Sequence, residues 1–122
     1  TRYAALHWRA GILAPSQFPV CVRTVEARVR RLLARNCSTV LLVTDLPSPA
    51  TGYHPLWDLR DFNTSHKYVA PRVQAAQQLQ RLAQVVRYVD VVGTGQDLGV
   101  VAVVELMLAL HAAELELCGI PK

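Results

Sequence analysis

A histidine and an arginine stand two residues apart at the end of the apolar stretch YAALHWR, as His7 and Arg9. Residues two apart in a strand project from the same face, so the imidazole and the guanidinium would face one ligand. A guanidinium stays charged and offers a planar fork of donors that matches phosphate oxygens two at a time. At a strand exit, Arg9 could hold a diphosphate and stabilise the charge on a departing phosphate. The alternatives are a surface arginine paired with Asp45 or Glu26, and a hydrogen-bonded structural histidine.

Two carboxylates are the next candidates for a ligand site. Asp45 stands at the exit of the β-branched run TVLLVT, and Glu105 is the only charged residue of Leu98–Leu110. A charge within such an apolar segment is costly unless it has a partner. The Glu105 carboxylate could accept two hydrogen bonds from the N–H edge of guanine, a pairing that adenine cannot make. The alternative, which the residues alone favour, is that Glu105 faces solvent or pairs with an arginine.

A glycine-containing turn, GTGQDLG, follows the third apolar run. Its spacing departs by one residue from the dinucleotide-binding fingerprint, and Asp97 would repel a phosphate. We therefore predict a tight strand-to-helix turn at Gly93–Gly95, with Asp97 as the N-cap of the next helix.

The length, composition and charge of the chain limit the classes of protein to which it can belong. With 122 residues, 52% hydrophobic and 18% charged, the sequence predicts one globular domain over 1–122. A net charge of +4 favours an anionic partner, but Arg and Lys form no long tract, so nucleic acid is not indicated. The three cysteines lack Cys-x-x-Cys spacing and the histidines lack a third ligand, so no metal site is predicted. The sequons at Asn36 and Asn63 could carry glycans in a secreted protein.

Strand-like and helix-like patterns alternate along the chain. A long loop at 46–71 is expected to be a mobile cover over the strand ends or a surface that contacts an acceptor. The last helix is apolar nearly all round and is expected to be buried, whereas the arginine-rich side of the first helix is expected to be solvated. The predicted elements are strands at Thr1–Trp8, Thr39–Thr44, Val85–Val92 and Glu114–Ile120, and helices at Cys21–Asn36, Val73–Val86 and Leu98–Ala112.

The order β-α-β-α-β-α-β predicts an α/β fold, a Rossmann-like parallel sheet with right-handed crossovers and flanking helices. An open parallel sheet binds its ligand outside the carboxyl ends of its strands. Arg9, Asp45 and the turn at Gly93–Gly95 follow three different predicted strands. We therefore expect these three groups to share one edge of the sheet.

The segment YAALHWRAG resembles the His-x-Arg segment of the GDP-fucose-dependent protein O-fucosyltransferase family. Three further features are similar and come in the same order along the chain. They are Cys21 before the first helix, VLLVTD at 40–45, and DLGVVAVVELMLALHAAELELCG at 97–119.

This resemblance implies a fold, an activity and a set of site residues. The chain would be the C-terminal, donor-binding half of a two-domain GT-B glycosyltransferase that moves fucose from GDP-fucose to Ser or Thr of secretory proteins. Arg9 would be catalytic, because it contacts the diphosphate and stabilises GDP as the leaving group. His7 would help position the nucleotide, Glu105 would read guanine, and Asp45 matches the family's Thr-Asp strand exit. No metal or other cofactor is implied beyond GDP-fucose as donor.

The sequence departs from the family pattern at several points. An acid often follows the His-x-Arg in the family, where this chain has Ile12 and Leu13, and Glu105 replaces a common Asp. The family's Ser-Ser-Phe-like segment would lie beyond Lys122, and the N-terminal domain of the same chain, which contacts the acceptor, would precede Thr1. This fragment alone is therefore expected to be inactive, although its parent would be a fucosyltransferase.

The resemblance also implies a location, the lumen of the endoplasmic reticulum or Golgi, with any membrane anchor outside this fragment. Two alternatives of a different kind remain open. One is a non-catalytic Rossmann-like module that binds a protein through the arginine helix or the long loop. The other is another nucleotide-sugar-dependent GT-B enzyme that uses the same edge with a different base.

Overall fold

A computed structural model describes residues 2–10, 14–35, 37–46, 66–82, 84–92 and 98–118. The alternation of strands and helices predicted from the sequence is present in these residues. One turn of 3-10 helix, Pro15–Gln17, comes directly before the first α-helix. The strands are β1 (Tyr3–Trp8), β2 (Thr39–Thr44), β3 (Val85–Val86) and β4 (Glu114–Cys118), and the helices are α1 (Phe18–Ala34), α2 (His66–Gln80), α3 (Tyr88–Val92) and α4 (Leu98–Leu110).

The four strands form one parallel sheet in the order β3-β2-β1-β4. The α/β, Rossmann-like fold predicted from the sequence is therefore confirmed. The first three strands progress outward in chain order, and β4 then pairs with the opposite side of β1. The direction of winding thus reverses between β1 and β4, and a reversal of this kind opens a crevice for ligands at the carboxyl ends of the two strands.

One face of the sheet carries the main core, and α1 and α2 pack on it. Apolar side chains alternate along β1 and β2, so that every second residue points to this face. Trp8, predicted to be core, is 1% exposed, and its ring meets the edge of Phe18 with centroids 6.4 Å apart. The members of this cluster from the strands are Ala4, Leu6, Trp8, Val40 and Leu42.

The opposite face of the sheet packs against α4 through a smaller cluster of Ala5, Leu41 and Ala109. The Tyr3 hydroxyl donates a hydrogen bond of 2.6 Å to the Leu108 carbonyl, which fixes the end of α4 beside the start of β1. Because α4 must return the chain from the carboxyl edge to the amino edge of a parallel sheet, its first turns lie toward the carboxyl edge.

Several boundaries differ from the prediction, and α2 and α4 also end earlier than predicted, at Gln80 and Leu110. Helix α1 begins at Phe18 rather than Cys21, since proline is tolerated in a first turn whose N–H groups have no intrahelical partner. Helix α2 begins at His66, so the predicted loop of 46–71 ends earlier; its residues 47–65 lie outside the described part of the chain. The predicted strand Val85–Val92 is a two-residue strand followed by α3, because a short apolar run does not distinguish strand from helix.

Helix α4 was expected to be buried on all sides, and that expectation is wrong. Only the stripe that faces the sheet is buried, and it consists of Val101, Glu105 and Ala109. No described residue covers the outer side of the helix, because the sheet meets α4 from one direction only. None of the described helices combines the length and apolar character that a bilayer crossing requires. The exposed apolar side chains of α4 are Val100, Val103, Leu106, Met107 and Leu110.

The arginine-rich side of α1 is only partly solvated, because it faces acidic residues of β4. Arg31 Nη2 lies 3.1 Å from Glu116 Oε1, and Arg35 Nη1 lies 3.6 Å from Glu114 Oε1. Arg28 adds a longer contact of 3.9 Å to Glu116. These pairs connect α1 to the edge strand β4, although half-exposed ion pairs of this kind contribute little to stability.

Candidate functional site

The predicted meeting of Arg9 and Asp45 at one edge is present in the structure. Trp8 at the end of β1 pairs in register with Thr44 at the end of β2. The next residue on each strand is therefore Arg9 on one and Asp45 on the other, at the carboxyl edge of the sheet. The third predicted member, the turn at Gly93–Gly95, and its neighbour Asp97 lie outside the described residues.

Arg9 is exposed at this edge. The alternative partners considered for it are engaged elsewhere: Asp45 accepts from the Ala10 backbone, and Glu26 accepts from Gln78 Nε2 at 3.4 Å. Within the described part of the chain, no acidic side chain lies within ion-pair distance of Arg9. Arg9 is thus a cation available to an anionic ligand, on a strand whose backbone is fixed.

Asp45 directly follows β2 at this edge, and its side chain is buried. Its Oδ1 accepts a hydrogen bond of 2.7 Å from the backbone N–H of Ala10. A charged acceptor at this distance makes a strong hydrogen bond, and it satisfies a donor at the point where the ladder of β1 ends. Asp45 therefore fixes the strand exit, a role that the sequence prediction of a ligand-binding residue did not include.

His7 is exposed near the carboxyl end of β1. Its neighbours in the register are Val43 on β2 and Leu117 on β4. No described residue forms a hydrogen bond with its ring, so the structure does not supply the partner that a structural histidine would have. The imidazole lies between β2 and β4, beside the reversal of strand order.

One alternative predicted that Glu105 faces solvent, and the structure does not show this. Glu105 is 8% exposed and lies on the side of α4 that faces the sheet. Burial raises the pKa of its carboxyl to about 7, and the charge of Arg87 opposes part of that rise. An electrostatic interaction with an arginine, the other alternative, is therefore present. Arg87 follows β3, two strands from β1, or roughly 10 Å across the sheet.

Arg87 is a buried cation that the sequence analysis missed. It is 2% exposed, and its Nη2 donates a hydrogen bond of 2.8 Å to the Leu46 carbonyl. The bond joins the end of β3 to the residue that follows Asp45. One signal was present in the sequence: Arg87 is the only cation of the apolar run 85–92, as Glu105 is the only charge of its own apolar run.

Arg72, on α2, is a second buried arginine that the sequence analysis missed. It is 4% exposed, and its Cζ lies 5.2 Å from the centroid of the Phe18 ring. Burial lowers the pKa of Arg72, and the nearby negative charge of Asp45 offsets part of that change. Two buried guanidinium groups thus act on residues 45–46, Arg87 by its hydrogen bond to Leu46 and Arg72 through its charge.

Cys21 and Cys37 are both free, buried thiols, and burial raises the pKa of Cys21. Cys21 is therefore in the neutral form, which is a poor nucleophile near neutral pH. Among the described residues, no group of three or more His, Cys, Asp and Glu side chains is arranged to hold a metal ion. The sequons at Asn36 and Asn63 lie outside the described residues.

No family model, no curated protein and no solved structure was found to match this chain. The function proposed below therefore depends on the geometry of this edge and on the resemblance of individual sequence segments.

Proposed function

We propose that this chain binds a nucleoside-diphosphate sugar, as the donor-binding half of a GT-B fucosyltransferase that uses GDP-fucose to modify Ser or Thr. The observation that carries the proposal is Arg9: an exposed guanidinium, with no acidic partner among the described residues, at the carboxyl edge of a parallel sheet. It lies on the central strand beside which the strand order reverses, which is where folds of this kind bind nucleotides.

The proposed chemistry assigns one role to each residue of the edge. Arg9 donates to the diphosphate oxygens and stabilises the negative charge that GDP gains when the glycosidic bond to fucose breaks. His7 faces the same ligand from the same strand and helps to position the nucleotide. Asp45 keeps the exit of β1 in place by its hydrogen bond to Ala10 and does not itself touch the donor.

Glu105 is assigned to the base, as the resemblance implies. It is a buried carboxylate on the side of α4 that faces the sheet. In its ionised form Glu105 would accept the two N–H donors of guanine, whereas adenine and uracil lack that pair of donors. Its pKa of about 7 makes this acceptor available in full only above neutral pH.

Titration of the chain with nucleotides tests the proposal. Isothermal calorimetry and NMR should detect GDP binding, with UDP and ADP weaker by at least about tenfold. Arg9→Ala should abolish most of the GDP affinity. Arg23→Ala is the matched control, because Arg23 is exposed on α1 and remote in sequence from the strand exits. Absence of binding to GDP at about 1 mM, or equal affinity of the wild type and Arg9→Ala, would reject it.

A second candidate function is a non-catalytic module that binds another protein. The exposed apolar side chains of α4 favour it, together with Leu117 of β4, which is 68% exposed. The arginine helix is a weaker candidate surface, since Arg28, Arg31 and Arg35 already face the acids of β4. This function predicts no preference among GDP, UDP and ADP, so the same titration distinguishes it from the first.

A further inference from the structure

We propose that Arg72 is a positioning residue that fixes the backbone on both sides of Arg9 and so sets the point at which the Arg9 side chain leaves the strand. The inference extends the proposed function and depends on it for the identity of the ligand. Arg72 belongs to α2, and it acts on the neighbours of Arg9 in two ways, by a contact with an aromatic ring and by the electrostatic effect between its charge and a carboxylate.

The first contact acts on the residue before Arg9. The guanidinium of Arg72 lies over the Phe18 ring, at 5.2 Å from its centroid. Phe18 in turn meets Trp8 in an edge-on arrangement, with ring centroids 6.4 Å apart and planes at 62°. Because Trp8 and Phe18 are almost fully buried and packed, a change at Arg72 is transmitted to the backbone of Trp8.

The second effect is electrostatic, and it acts on the residue after Arg9. The charge of Asp45 acts on Arg72, and Asp45 holds the backbone N–H of Ala10 at 2.7 Å. A buried carboxylate keeps its charge and its geometry only when a cation or donors compensate for lost water. Arg72 supplies such a cation, so it secures the acceptor that holds Ala10.

The contact with Phe18 requires the shape of arginine. A planar guanidinium lies over an aromatic ring and keeps its charge, whereas the ammonium of lysine is a compact point charge. Arg72→Lys should therefore preserve the charge near Asp45 but lose the contact with Phe18. Arg72→Met should lose the charge and retain apolar bulk near the ring.

The test combines GDP titration with two-dimensional NMR of the backbone amides in the full chain. The amide signal of Ala10 reports its hydrogen bond to Asp45 directly, and the signal of Arg9 reports the conformation of the strand exit. In Arg72→Met both signals should shift, and GDP affinity should fall by about tenfold. Arg72→Lys should restore the Ala10 signal while the Arg9 signal and the GDP affinity recover only in part.

Arg81→Met is the control, because Arg81 is exposed just after α2 and should leave both signals and the affinity unchanged. Wild-type signals for Arg9 and Ala10 in Arg72→Met, with unchanged GDP affinity, would overturn the inference. If Arg72→Met does not fold, Arg72→Lys decides: wild-type Arg9 signals and affinity in that variant also overturn it. Failure of the wild type to bind GDP would reject the proposed function instead, and the two amide signals would still test the positioning role.

Discussion

The carboxylate of Asp45 accepts the backbone N–H of Ala10 at 2.7 Å, and this bond joins the ends of two neighbouring parallel strands. Arg9 lies between the last residue of β1 and this bonded amide. The cation proposed to meet the diphosphate is therefore held on a fixed strand exit, although its own side chain is exposed. Stability and ligand binding can for this reason be separated by substitutions at adjacent positions.

Asp45→Ala should destabilise the chain by about 2 kcal/mol, because it removes a charged acceptor and leaves the buried N–H of Ala10 without that bond. Urea unfolding followed by circular dichroism measures the change. Asp45→Asn retains an acceptor oxygen of similar size and should lose less. Arg9→Ala serves as the neighbouring control and should change the free energy of unfolding by less than about 0.5 kcal/mol. Equal losses in Asp45→Ala and Arg9→Ala would contradict the assignment.

The buried carboxyl of Glu105 should make stability fall as the pH rises. Its pKa is raised from 4.5 to about 7 in the folded chain, so between these values the folded state keeps a proton that the unfolded chain releases. Stability should therefore decline from about pH 4.5 to pH 7 and level off above, by up to about 3 kcal/mol from this group.

Glu105→Gln isolates that contribution, because it removes the titrating group and keeps the shape. The difference in unfolding free energy between Glu105→Gln and the wild type should grow across this pH range. A difference that is constant with pH would show that the carboxyl is not desolvated in the folded chain.

GDP binding should have the opposite dependence on pH if Glu105 reads guanine. Only the ionised carboxylate accepts both N–H donors of the base, so the preference for GDP over ADP should increase between pH 6 and pH 8 around the pKa of about 7. Parallel calorimetric titrations measure the ratio, with Glu105→Gln expected to show a small ratio at every pH. A ratio that is the same at both ends of the range would remove Glu105 from base recognition.

The two sides of α4 should respond differently to substitution. Leu106 is 59% exposed, so Leu106→Gln should change the unfolding free energy by less than about 0.5 kcal/mol. Val101 is buried against the sheet side, and Val101→Ala should cost about 1.5 kcal/mol for two methyl-sized groups. Thermal unfolding of both variants checks this contrast. A large loss in Leu106→Gln would mean that another part of the chain, or a second copy, covers the outer side of α4.

The adjacency of Arg9 and Asp45 could be predicted because both residues directly follow apolar runs that form parallel strands. When two such strands pair in parallel, the residues that follow their last positions lie side by side. This can be predicted without knowing where the helices pack. Arg72 could not be placed in this way, because its burial depends on how α2 packs against the start of α1, far away in sequence. Arg87 is the only cation in one apolar run, and Glu105 is the only acid in another. Pairing these two opposite charges would have predicted their interaction.

The outer side of α4 was mispredicted for a different reason. Its sequence is apolar all round, which predicts burial only if other structure surrounds the helix. Among the described residues, the sheet covers a single stripe, and the remaining apolar side chains are exposed. A hydrophobic pattern indicates how much surface a helix can bury, whereas the topology decides how much it does bury.

The alternation along β4 has a consequence for how this edge strand finds its alignment. Glu114 and Glu116 face the arginines of α1, and Leu115 and Leu117 point to the other side of the sheet. A slip of one residue against β1 would exchange the two sets and bring leucines to the guanidinium groups in place of the carboxylates. Weak surface ion pairs that add little to the stability of the native state can thus still select which strand alignment is reached.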